Sequence, residues 1–192
     1  RWWLHHSLRS LAKDLAARGC PLVLRRGAAA GVLRDVVAET GAGRVVASRC
    51  YETWAARLEQ DVHAGLGNAG VGFSRLAGTL LVEPENIQTG AGGPFKVYTP
   101  FWKALSSRSR RLPVAAPKMI ECVARLPASD HLDDWQLLPT KPDWAGGFRA
   151  AWQPGEAHAL ARLDSFIDTA LERYGEDRNR PDLAGTSRLS PH

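Results

Sequence analysis

Six residues near the C-terminus concentrate much of the chain's capacity for chemistry. Gly185-Thr186-Ser187-Arg188-Leu189-Ser190 brings three hydroxyls, one guanidinium and several backbone N–H groups together. Hydroxyl and N–H donors at the start of a helix bind phosphate, because unpaired N–H groups and the helix dipole both favour an anion there. The same residue types also make a simple N-cap that holds only its own helix. Just upstream, Glu176 to Asp182 is rich in Asp, Asn, Arg and Pro, a composition that a packed core would not tolerate. Arg178 lies in this loop, where it can meet a phosphate or pair with Glu176 or Asp177.

Other spacings carry less. Thr89-Gly90-Ala91-Gly92-Gly93-Pro94 could cradle phosphate or form a plain turn, and it lacks the Lys-Ser/Thr end of a P-loop. Arg108, Arg110, Arg111 and Lys118 form a basic run that reads as a solvated loop or a DNA contact. Cys20, Cys50 and Cys122 are odd in number and widely spaced, so no disulfide framework is expected. His5 and His6 point about 100° apart on a helix, and no His/Cys set has metal-ligand spacing. No metal site is expected.

The chain that must position these residues has 192 residues, 44% of them hydrophobic, enough for a sizeable core. Its net charge of +5 favours polyanionic partners or anionic cofactors. No apolar run approaches the ~20 residues of a membrane span, so no membrane contact is expected, and a reducing cytoplasm is the simplest location.

Hydrophobic periods alternate through the first half. Leu8, Leu11, Ala12 and Leu15 predict a helix stopped by Gly19, and Pro21-Leu22-Val23-Leu24 predicts a buried strand. Val32, Leu33, Val36 and Val37 predict a second helix closed by Gly41, before a strand at residues 44–48. Thr53 is expected to cap a third helix reaching about Leu66, followed by a strand at residues 71–74 and an extended piece at residues 79–82. This rhythm predicts an α/β fold, a Rossmann-like doubly wound parallel sheet. Because a helix comes first, one N-terminal strand is expected to be missing. Residues 1–105 are assigned to this truncated α/β domain, and residues 106–153, with their scattered prolines, to an interdomain connector. Residues 154–192 are assigned to the start of an all-α domain, whose first helix of about 18 residues is marked by Leu160, Leu163, Ile167, Ala170, Leu171 and Tyr174. The seven tryptophans read as core and interface packing.

Five motifs in order then carry a resemblance. Tyr174, Arg178, Pro181 and the run Thr186 to His192 resemble the flavin-binding entrance of the photolyase/cryptochrome family. Trp152-Gln153-Pro154-Gly155-Glu156 is similar to the opening of its helical domain. Thr99-Pro100-Phe101-Trp102-Lys103-Ala104, Cys50-Tyr51-Glu52 and the stretch Pro21 to Gly27 resemble segments of its α/β domain.

The resemblance implies an N-terminal domain that often holds an antenna chromophore, a connector, and a helical domain that holds FAD. It implies blue-light-driven repair of cyclobutane pyrimidine dimers in DNA by a monomeric carbon-carbon lyase (deoxyribodipyrimidine photo-lyase), with this 192-residue fragment inactive alone. Carried over by position, Tyr174, Thr186, Ser187, Arg188, Leu189 and Ser190 are FAD contacts, Arg178 is a DNA contact, and no catalytic residue is assigned. Asn179 stands where the family has Asp. Trp54-Ala55 stands where a folate-antenna subgroup has Asn-Glu, so a folate antenna is not supported and a deazaflavin, another chromophore or none remains open. Two alternatives stand beside repair: a cryptochrome-like flavin photoreceptor, and a nucleotide-binding α/β module without light chemistry.

Overall fold

The computed structural model describes residues 1–109 and 112–191. Arg110, Arg111 and His192 lie outside the described residues, and with them half of the basic run and the last residue of the C-terminal motif. The chain forms two compact units, and neither is a single stretch of sequence. The division expected at residues 105 and 153 is linear, whereas the first unit joins residues 1–25 to residues 117–124 and 128–192.

The unit built from residues 26–116 and 125–127 is α/β. Helix α1 (Trp2–Ala17) belongs to the other unit, so the elements here begin with α2 (Ala29–Thr40). Gly41 ends α2 in the left-handed region at φ 70°, its N–H donating to the Val37 carbonyl at 2.8 Å. Strand β1 (Arg44–Ser48) follows, then α3 (Thr53–Gly67) and β2 (Gly72–Leu76). The two strands pair in parallel, with Arg44 opposite Gly72 and Ser48 opposite Leu76. Parallel neighbours need a crossover, and α3 supplies it. Its buried stripe of Ala55, Val62 and Leu66 faces inward, with Leu66 fully buried. Burial of one such leucine stabilises by roughly 1.5–3 kcal/mol. Helix α3 packs on β2 and α2 packs on α3. Helix α4 (Tyr98–Ser106) carries Pro100 in its first turn, where no intrahelical N–H bond is lost.

The other unit is helical. Helix α1 (Trp2–Ala17) ends where Gly19, at φ 89°, lets the Cys20 N–H reach the Leu15 carbonyl at 3.1 Å and its own N–H reach Ala16 at 3.0 Å. This double bond pattern satisfies carbonyls that a helix end leaves open. Helices α5 (Gly146–Ala151), α6 (Glu156–Thr169) and α7 (Tyr174–Asp177) follow, and α1 packs on α6 and on a 3₁₀ turn at Leu132–Trp135. Aromatic rings knit the unit: Trp2 lies 5.8 Å from Phe148 and Trp3 lies 5.6 Å from Trp152. Gly155, at φ 126°, passes so close to Ser10 that an added Cβ would stand 2.7 Å from its hydroxyl oxygen.

The parallel α/β layer agrees with the sequence reading, as does the helix that opens the chain. Several local expectations do not. Pro21–Leu24 is not a strand, because its backbone bonds leave the sheet: Leu24 N–H donates to Ser129 Oγ at 2.9 Å and its carbonyl accepts from Asp130 N–H at 2.7 Å. Residues 79–82 form no ladder either, and Leu81 is 71% exposed. Thr53 is the first helical residue of α3 rather than its cap, a place taken by Glu52 without a side-chain bond. The helix expected to reach Tyr174 stops at Thr169, and α5 forms inside the expected connector. Expected packing of all seven tryptophans also holds only in part, since Trp2 is buried while Trp54 is 64% exposed.

His5 is the titratable group most enclosed in the helical unit, with 1% exposure. Neither ring nitrogen has a hydrogen-bond partner, and the nearest Asp133 oxygen is 3.8 Å from Nε2. Burial, and then the Arg9 charge, hold its pKa below the ordinary histidine value, against a weaker upward pull from Asp133. His6 is lowered by burial first and then by His5, Arg9 and Arg149. The folded state therefore binds fewer protons than the unfolded chain. This part of the stability is complete above the unfolded histidine pKa of about 6.5 and is lost as pH falls from there through the lower pKa of the folded state. We expect the urea midpoint to drop between about pH 7.5 and pH 5.5, before any carboxylate titrates. A His5→Phe variant should flatten that slope, and an unchanged slope would assign the effect elsewhere.

Candidate functional site

The helix break that the sequence missed builds the candidate site. After Thr169, both Ala170 and Leu171 N–H groups donate to the Phe166 carbonyl, at 3.0 and 2.9 Å, and the chain turns. In an unbroken helix Phe166 and Tyr174 would stand about 12 Å apart along the axis. Here their rings meet edge to face at 5.8 Å. Arg178 lies over the Tyr174 ring, its guanidinium carbon 5.7 Å from the ring centroid. The other two arginines of this stretch are paired: Arg173 with Asp177 at 3.3 Å and Arg180 with Asp182 at 2.7 Å. The Arg180 hydrogen bond is what holds the Asp182 carboxyl below its usual range. Arg178 is exposed and has no carboxylate partner among the described residues. The pairing with Glu176 or Asp177 left open above is therefore not the arrangement found.

The Thr186–Ser190 segment does not begin a helix. It is an irregular strand of chain, with Arg188 in the left-handed region at φ 51°. Gly185 anchors it: a Cβ there would stand 2.5 Å from the Asp177 carbonyl oxygen, so no side chain fits. From α6, Arg162 Nε donates to the Ser187 carbonyl at 3.0 Å, and its guanidinium carbon sits 5.5 Å from the Trp152 ring centroid. Leu189 N–H turns toward Ser187 Oγ at 3.4 Å. Thr186 and Ser187 line a cleft of about 390 Å3 whose other walls include Trp152, His158, Arg162 and Phe166. Thr186, Arg188 and Ser190 are exposed, and Ser187 and Leu189 half-buried.

Of the residues singled out by sequence, Thr186 and Ser187 reach this cleft, and Tyr174 reaches it only through Phe166. Arg188, Leu189 and Ser190 continue the same segment beyond its wall. Arg162 and His158 were not singled out. Their only sequence signal is the position of Glu156 to Thr169 behind Trp152-Gln153-Pro154-Gly155, which turns one helix face to the segment.

Two other candidates resolve. The Thr89–Pro94 turn spends its donors on itself: Thr89 N–H donates to the Gly93 carbonyl at 2.8 Å and Gly93 N–H to Thr89 Oγ1 at 3.2 Å. That is a plain turn. In the α/β unit, charged residues pair at and beyond the C-terminal ends of β1 and β2 and on α3. Tyr51 hydroxyl donates to Glu83 at 2.7 Å, Arg49 pairs with Glu83 at 2.9 Å and also with Glu85, and Arg75 pairs with Glu59 at 2.6 Å. The Arg75 hydrogen bond lowers the Glu59 pKa, and the Arg49 hydrogen bond lowers that of Glu85. Among the described residues no cluster of three His, Cys, Asp or Glu could hold a metal, and no helix is long and apolar enough to cross a membrane.

A parallel α/β unit and a separate helical unit ending in a hydroxyl-rich segment define a two-part protein. A family model described as DNA photolyase matches residues 1–119, and the chain belongs to the DNA photolyase family. It is 45% identical, over its whole length, to a deoxyribodipyrimidine photo-lyase of Agrobacterium fabrum, of which it covers 40%. A bacterial class III photolyase from Agrobacterium tumefaciens has a similar structure, with a TM-score of 0.95, 45% identity, and coverage of 100% of this chain and 40% of that one. An archaeal photolyase from Sulfolobus tokodaii, described with two FAD molecules and a novel light-harvesting cofactor, shares the fold at a TM-score of 0.75 and 17% identity, over 99% of this chain and 39% of that one. The chain thus spans about 40% of the length of these relatives.

Gly185→Ala should shift the whole segment, because the carbonyl it meets is backbone and cannot swing aside. We expect a loss of about 1–3 kcal/mol, in the range for overpacked sites. Amide exchange at residues 186–190 should accelerate while exchange in α3 stays unchanged. Equal acceleration in both units would mean that Gly185 serves general stability and not the segment.

Proposed function

We propose that this chain is the light-harvesting and flavin-entrance part of a deoxyribodipyrimidine photolyase, a carbon-carbon lyase that repairs cyclobutane pyrimidine dimers under blue light. The observation that carries the proposal is the Thr186–Ser190 segment, held from both sides by Gly185 packing and Arg162, in a chain 45% identical to a photolyase throughout. The donor set fits the phosphate end of FAD: hydroxyls from Thr186, Ser187 and Ser190, with cationic Arg188 and Arg162 nearby. The chemistry supplied by bound reduced flavin is light-driven electron donation to a dimer flipped out of the DNA stack, with return of the electron after ring splitting.

The chain's own residues bind and orient. Thr186, Ser187 and Ser190 hydroxyls donate to phosphate oxygens, as do the N–H groups of the segment. Arg162 fixes the Ser187 peptide, and its Trp152 contact restrains the guanidinium that does so. Tyr174, seated against Phe166, borders the entrance, and Leu189 contributes apolar contact. Arg178, unpaired and exposed, takes a DNA phosphate. In the α/β unit, buried Ala55 has no carboxylate to offer where a folate-antenna subgroup has one, which speaks against a folate antenna and leaves a deazaflavin-type chromophore, another pigment or none.

The test is light-dependent repair of dimer-containing DNA by the intact protein, with flavin content measured alongside. Arg178→Ala should lower DNA affinity for all sequences alike and reduce the salt slope by about 1, the signature of one lost phosphate contact. Flavin content should not change. An unchanged slope and affinity would remove Arg178 from the DNA face, and lost flavin with normal DNA affinity would move it to the cofactor site. Flavin binding without any light-dependent repair would replace repair by the photoreceptor reading.

A further inference from the structure

The three cysteines are not equivalent. Cys50 is exposed in the α/β unit, whereas Cys20 and Cys122 are half-buried in the helical unit, 102 residues apart in sequence. Their sulfur atoms lie 3.0 Å apart, with one thiol donating to the other. The backbone brings them there. Cys20 follows the Gly19 turn that ends α1, and residues 117–124 run alongside it. Ile120 N–H donates to the Arg18 carbonyl at 2.8 Å, and a Cβ on Gly19 would meet Met119 Cε at 3.1 Å. Each cysteine sits two residues beyond a member of that backbone bond, Cys20 after Arg18 and Cys122 after Ile120. The two Cβ atoms are therefore carried to the same spot by hydrogen-bonded main chain and do not depend on flexible side chains.

We propose that Cys20 and Cys122 are a covalent modification site, a dithiol that closes to an intramolecular disulfide when it meets a small-molecule disulfide such as oxidised glutathione. A disulfide needs sulfurs about 2.05 Å apart, so closure asks for a movement of about 1 Å. The steps balance. One cysteine loses its proton, and the thiolate attacks the small disulfide, forming a mixed disulfide and expelling one small thiolate. The second cysteine loses its proton and attacks the protein sulfur of that mixed disulfide, expelling the other small thiolate. Two protein thiols are oxidised, one disulfide is reduced to two thiols, and the two protons released go to those products. The bond ties residues 117–124 to the end of α1, a segment that in the free thiol form is held there by one backbone hydrogen bond and apolar contact. Hydrogen bonding to Cys122, followed by burial, raises the Cys20 thiol pKa, which slows attack by that thiol.

Trypsin separates the three cysteines cleanly: residues 19–25, 50–57 and 119–125 each carry one. The native protein is treated with oxidised glutathione, quenched in acid and mapped by mass spectrometry without reduction. The expected product is a cross-linked peptide of residues 19–25 and 119–125, two hydrogens lighter than their sum, while residues 50–57 carry a glutathione adduct. Cys20→Ser and Cys122→Ser should each leave the remaining partner as a stable glutathione adduct. The same treatment in urea should favour linkage of Cys20 to Cys50, since the shorter loop closes more readily in an unfolded chain. That control shows that the native selectivity comes from the fold. Recovery of residues 19–25 and 119–125 as separate thiols, or as separate adducts in the native protein, would overturn the proposal, as would a native link of Cys20 to Cys50.

Discussion

A missing methyl group sets the geometry of the helical unit's candidate site. Gly185 lies against the main-chain carbonyl of Asp177, and that contact leaves 2.5 Å where a side chain would have to begin. Main chain cannot rotate away as a long side chain can, so the approach of residues 185–190 to the turn around Asp177 is possible only at glycine. With that approach made, Thr186 and Ser187 face the cleft beside α6, and Arg162 can reach the Ser187 carbonyl. Without it the hydroxyl-rich segment would be a tail with the same composition and no fixed place.

The break in α6 works with this contact. A straight helix would carry Tyr174 about 12 Å past Phe166. Turning at Thr169 folds Tyr174 back against Phe166, and Arg178 then lies over the Tyr174 ring. The arginine distribution follows from the same turn. Arg173 and Arg180 find carboxylates of their own stretch, and Arg178 finds only a ring. Exposed ion pairs of this kind contribute little to stability, about 0–1 kcal/mol each. Their effect here is one of selection: they engage Asp177 and Asp182 and leave the Arg178 guanidinium available to an outside anion.

The α/β unit depends on a different constraint. Two parallel strands cannot be joined by a tight turn, so α3 must cross between them and bury a stripe on the way. Ala55, Val62 and Leu66 are that stripe. The charged and polar residues beyond the strand ends, Arg49, Tyr51, Glu83 and Glu85, can then gather from two separate stretches of chain.

Periodicity alone placed α2, β1, α3 and β2, because a parallel crossover writes its period of helix and strand directly into the order of apolar residues. Gly19 and Gly41 were legible as helix ends for a similar local reason: each must adopt a positive φ. The motif residues Thr186 to Ser190 were legible by resemblance, as was the family. What the sequence could not contain is anything decided by partners far along the chain. Pro21–Leu24 has a strand's composition, but a strand exists only by pairing, and its partners proved to be Ser129 and Asp130 in a loop. The end of α6, the pairing that frees Arg178, the reach of Arg162 and the meeting of Cys20 with Cys122 are likewise contacts between residues whose separation in sequence carries no signal. Local preference fixes the elements, and only the tertiary fold decides which of their side chains meet.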